Sequence, residues 1–141
     1  MKVRPVVRFE ADFPDDSICD EDGFVIGWGG RNVVDAISEV LRKAGYALTE
    51  PEEEPEHGWT FHANRHGTEV WFQVQAAGEY YLDTVHMGLF KFTRKSKQAY
   101  VNTLNLINAW IQQDPRFRNI HWHTMGMPPE EMGTSGPVVE A

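Results

Sequence analysis

Residues 58–87 read GWTFHANRHGTEVWFQVQAAGEYYLDTVHM, and the fold follows from this stretch. From Trp59 to Ala63, and again from Val70 to Val74, apolar side chains recur at every second position, the period of a strand with one buried face. Asn64 to Thr68 and Ala76 to Glu79 carry turn chemistry, with Gly67 and Gly78 free to take positive φ. The stretch therefore reads as an antiparallel meander of three strands.

Alternation also assigns the faces. Trp59, Phe61, Val70, Phe72 and Val74 form a core side, and His62, Trp71, Gln73 and Gln75 point the other way. An exposed sheet face is commonly lined with Thr, Lys, Glu and Arg, whereas this one presents an indole, two amides and an imidazole, which suits a contact surface. In the third run the apolar count turns Tyr81, Val85 and Met87 inward. That parity leaves Asp83 at the core boundary, where a buried carboxylate needs hydrogen bonds.

Outside the meander, Lys2 to Phe13 is β-branched and aromatic, with Pro5 near its start, and reads as an additional strand at an edge of the sheet. Residues 14–30 read as a loop whose patch Phe24, Val25, Ile26 and Trp28 tucks against the body or forms a short strand. Its WGGRN segment has neither the spacing nor the Lys-Ser/Thr pair of a phosphate-binding loop. From Asn32 to Gly45, Val33, Val34, Ile37, Val40, Leu41 and Ala44 share one helical face, with Asn32 as the cap and Gly45 as the stop. PEEEPE at 51–56 reads as an irregular acidic connection. A second helix runs from about Lys97 to Gln113 with Ser96 as its cap. The last strand, Phe117 to Met125, contains His121 and His123, and 127–141 reads as a loosely ordered tail behind a single domain of residues 1–126. The expected architecture is α+β: an antiparallel sheet of about five strands in the order β-α-β-β-β-α-β, with two helices on one face and the other face open.

Composition narrows the function. The 141 residues carry a net charge of -8 with a pI near 5.1, which disfavours nucleic acid and anionic membranes as partners. Seven acidic residues between Glu10 and Asp22 and five between Glu50 and Glu56 make up 12 of the 21. Leu89, Phe90 and Phe92 interleave with Lys91, Arg94, Lys95 and Lys97, cations expected to answer the two acidic segments. The mean hydropathy of -0.47, the absence of a signal-like apolar run and the single Cys19 suit a cytoplasmic protein without disulfides.

No catalytic motif is present, and no cofactor is implied. His121 and His123, two apart in a strand and about 7 Å from each other, supply at most half a zinc shell. His62 and His86 complete it only if their strands neighbour the last one. The reading that fits best is a non-catalytic, acidic protein-binding module engaging a basic protein partner through His62, Trp71, Gln73, Gln75, His121 and His123 together with the acidic loops. In size and charge it is comparable to immunity-type or chaperone-type inhibitors among small bacterial proteins. The alternatives are a small metal-dependent or small-molecule enzyme using the sheet histidines, and a homodimer pairing through the same face.

Overall fold

His66 and Gly67 take φ of 53° and 80°, the left-handed pair that a tight hairpin turn requires, and join β7 (Gly58–Arg65) to β8 (Thr68–Ala77). Gly78, at φ 79°, closes the next turn into β9 (Glu79–Met87). The meander is thus present, and its strands are longer than the alternation alone marks. The computed structural model describes residues 2–124 and 132–139. In chain order the remaining elements are β1 (Lys2–Val3), β2 (Val6–Ala11), β3 (Ile18–Cys19), β4 (Val25–Gly27), α1 (Arg31–Lys43), β5 (Ala47–Leu48), β6 (Glu52–Glu54), α2 (Arg94–Gln113), β10 (Phe117–His123) and β11 (Val138–Val139).

The fold is α+β, with two helices among the described residues and a seven-stranded sheet in the order β10-β2-β9-β8-β7-β5, to which β6 adds by pairing with β7. Every pairing in the sheet is antiparallel. Both helices contribute to one apolar core, which joins Val33, Val34, Ile37 and Leu41 of α1 to Leu104, Ile107 and Ile111 of α2 and to Phe61, Val70, Phe72, Val74 and Leu82 of the sheet. No helix among the described residues is long and apolar enough to cross a membrane.

The structure corrects the inward side of β9. Trp71 pairs with Val85, Gln73 with Asp83 and Gln75 with Tyr81, while Phe72 pairs with Thr84 and Val74 with Leu82. Directly opposed residues share a face, so the parity of β8 dictates that of β9, and Tyr81, Asp83, Val85 and Met87 lie on the open side. Apolar count misleads because the inward polar groups find partners on α2. Thr84 Oγ1 shares a 2.7 Å hydrogen bond with Tyr100 Oη, and His86 Nε2 lies 2.8 Å from Ser96 Oγ with its ring stacked on Tyr100.

Other expectations change locally. The first long strand, β2, is interior, between β10 and β9. Pro5 precedes it and removes no ladder donor, while its carbonyl accepts from Thr84 N and Thr84 Oγ1. The acidic connection contains β6, an edge strand that tolerates three glutamates because its charges reach water. At α1 the Asp16 carboxylate supplies the cap, accepting from Gly30 N and Asn32 N at 2.8 Å each. Thr93 rather than Ser96 caps α2, its hydroxyl accepting from Ser96 N. Of the two expectations for the 24–28 patch, the short strand is the one that forms, as β4 paired with β3, and Phe24 and Ile26 stay exposed on that hairpin.

Part of the expected tail is paired. Thr134 forms a bridge with Trp122 at the outer side of β10, and β11 pairs with β1 in a separate two-stranded sheet. Residues 127–131, 140 and 141 of that stretch lie outside the described residues.

The parity of β9 is open to direct test. Leu82→Ala, at a fully buried position, is expected to lower the unfolding free energy by about 2–5 kcal/mol, whereas Val85→Ala on the open side should change it by about 0.5 kcal/mol or less. Urea denaturation of the two variants measures the difference, and equal losses would contradict the assignment.

Candidate functional site

The open face is built by side-chain parity on five adjacent strands. One row across it runs Val6, Asp83, Gln73 and Thr60, and the next runs His121, Arg8, Tyr81 and Gln75. On the other flank Val85, Trp71 and His62 stand side by side, followed by Met87, Glu69 and Asn64. All six residues singled out from the sequence lie on this one face. They fall into two groups, with His62, Trp71, Gln73 and Gln75 together on β7 and β8 and the histidine pair on β10, from which β2 and β9 separate β8.

Local interactions orient the first group. His62 Nδ1 lies 3.3 Å from Glu69 Oε1, Gln73 Nε2 donates to the His57 carbonyl at 3.0 Å, and Gln75 Nε2 reaches Gln73 Oε1 at 3.4 Å. Trp71 has Val85 and His62 as its cross-strand neighbours and remains partly accessible. The indole is therefore held between an aliphatic side chain and an imidazole, with one surface left to water. This is the arrangement in which an aromatic residue can serve as an anchor for a partner.

The second group differs from its expected placement. The rings of His121 and His123 are 6.4 Å apart, but His123 is only 1% exposed. Gly133 lies over the pair: a Cβ there would stand 2.8 Å from two atoms of the His123 ring and against the His121 Cβ. The chain can pass only because residue 133 has no side chain, and His123 is thereby removed from the surface that alternation assigned to it. His121 stays partly accessible at the same edge. The tail carries no periodic signal, so the sequence offers only the glycine as a hint of this close approach.

A four-histidine shell does not form. His62 on β7 and His86 on β9 are not on strands that neighbour β10, and His86 faces α2. Among the described residues no group of three or more His, Cys, Asp or Glu side chains stands close enough to hold a metal ion. Pairing across the sheet, rather than spacing along the chain, separates them.

Sequence reasoning missed Tyr81, Asp83 and Val85 as members of the face, and also Arg8, which lies opposite both Tyr81 and His121. Arg8 Nε is 3.7 Å from Glu79 Oε1, and Tyr81 Oη donates to the same carboxylate at 3.3 Å. Burial raises the Tyr81 hydroxyl pKa, with Glu79 adding to the shift and Arg8 opposing it. Asp83 is half-buried, and desolvation alone raises its carboxyl above the ordinary value. The signal for these residues was the strand pairing itself, since β9 taken alone supports either parity.

A raised folded-state pKa for Asp83 means that the native state binds its proton more tightly than the unfolded chain does. Its contribution to stability is fully favourable below the unfolded value near about 3.9 and is lost as pH rises through the higher folded value. Asp83→Asn is therefore expected to be more stable than wild type at neutral pH, with the gap narrowing as pH falls toward about 4. Thermal melts across that range measure it, and a gap that widens on acidification would reverse the assignment. Comparisons of the chain with protein-family models, curated proteins and solved structures give no match.

Proposed function

We propose that the protein is a non-catalytic binding module that holds a basic protein partner against the open face of its sheet. The carrying observation is Trp71, partly accessible in the row formed with Val85 and His62 on a face that neither helix covers. An aromatic anchor surrounded by amides and charges is the common make-up of a protein interface. Glu69 stands on the same face, and β6 borders it with glutamates, so the β6–β8 half is acidic. Such a rim attracts and orients a cationic partner before contact.

Edge pairing is a less suitable mode for this sheet. On one side the edge consists of two short strands, the two-residue β5 and the three glutamates of β6, and on the other Thr134 exchanges two backbone hydrogen bonds with Trp122. Charged or covered edges discourage strand addition, and the face remains as the available surface. The comparison with immunity-type and chaperone-type inhibitors rests on size and charge, and a cytoplasmic setting belongs to the same proposal.

The test uses two immobilised forms of the whole chain, wild type and Trp71→Ala with Gln73→Ala, each shown to be folded by circular dichroism. Wild type should retain a basic protein from host lysate, and the double variant should bind the purified partner at least about tenfold more weakly, a loss of about 1.4 kcal/mol or more. Equal affinity for both forms would remove the sheet face from the interaction.

A further inference from the structure

Two exposed apolar patches lie away from the sheet face, and they carry opposite charge. The first is the β3–β4 hairpin. Ile18 is 58% exposed, Phe24 71% and Ile26 61%, and the turn between the strands is Asp20, Glu21 and Asp22. The Asp20 carboxylate accepts from Asp22 N and Phe24 N, which shapes the turn and sets Phe24 at its end. No lysine or arginine occurs between Arg8 and Arg31, so nothing in the segment offsets its acids.

The second patch follows β9. Leu89 is 94% exposed, Phe90 73% and Phe92 89%. Beside them a groove of about 1020 Å³ opens between the β7–β8 turn and the first turns of α2, lined by His66, Thr68, Phe90, Lys95 and Ala99 among others. Between Asp83 and Asp114 the chain contains no acidic residue, and Lys91, Arg94, Lys95 and Lys97 are its only lysines and arginines. These cations were expected to answer the acidic segments. Among the described residues none of the four lies in a salt bridge, and Lys91 instead lies over the Phe92 ring.

The patches cannot meet within one chain. The hairpin borders the Gly78 turn, where Val25 shares a cleft with Ala76 to Tyr80, and the groove lies at the other end of β9. Nine residues of strand separate the two, or about 30 Å at the rise of an extended chain. Apolar surface of this extent on a monomer generally marks a contact. Here each patch has the charge that the other lacks.

We infer that the occupant of the basic groove is the acidic hairpin of a second copy of this chain, giving head-to-tail association. Phe24 and Ile26 enter beside Phe90, while Asp20, Glu21 and Asp22 meet Lys91, Arg94, Lys95 and Lys97. Because different patches join, the contact is heterologous, and each added copy leaves one hairpin and one groove free. Trp71 belongs to neither patch, so the association is independent of the sheet face.

Sedimentation velocity on the full chain tests this with two variants altered only at exposed positions: Phe24→Ser with Ile26→Ser in the hairpin, and Phe90→Ser with Lys95→Glu in the groove. Wild type should pass from monomer to species larger than a dimer between micromolar and millimolar concentration, with the apparent dissociation constant rising at least tenfold between about 0.05 M and about 0.5 M salt. Each variant alone should be monomeric with an unchanged melting temperature. Mixed in equal amounts they should form a two-chain species and stop there, because that contact uses the one intact hairpin and the one intact groove and leaves only altered patches free. A wild type that is monomeric at millimolar concentration, a variant that still dimerises alone, or a mixture that stays monomeric would overturn the proposal.

Discussion

Thr84 ties three elements to one another. Its hydroxyl donates to the Pro5 carbonyl ahead of β2 and shares a hydrogen bond with Tyr100 Oη on α2, while its backbone belongs to β9 and its amide also donates to Pro5. The group is almost fully buried, and a buried hydroxyl left without partners is costly, so the three elements must be placed together. Once Thr84 faces α2, Leu82 and His86 do so as well, and Tyr81, Asp83 and Val85 must face away.

This constraint gives the sheet one dry side and one open side. Both helices use the dry side, with Tyr46 Oη in the connection after α1 and Thr103 Oγ1 in the middle of α2 sharing a 2.7 Å hydrogen bond. The open side then collects groups that a core would not accept: an indole in contact with water, two amides, a half-buried carboxylate and an arginine paired to a glutamate. Trp71, Gln73, Gln75 and Val85 on that side lie outside the apolar core.

One end of β9 meets the acidic hairpin and the other leads to the basic, apolar groove, so the direction of a single strand sets the polarity of the molecule. Trp71 lines neither the groove at one end nor the cleft at the other, so the two proposed contacts use different residues.

Much of this was legible in the residues. The period of two in 59–63 and 70–74, the turn glycines 67 and 78, and the helical stripe from Val33 to Leu41 each encode local structure, because side-chain periodicity follows from backbone geometry alone. That reading placed His62, Trp71, Gln73 and Gln75 on one face correctly. The parity of β9, the burial of His123 under Gly133, the interior position of β2 and the separation of the histidines were decided only in the tertiary structure. Each depends on which strand lies beside which, and on polar partners contributed by residues far away in the chain. Periodicity specifies that a strand has two sides, whereas pairing and packing choose which of them is dry.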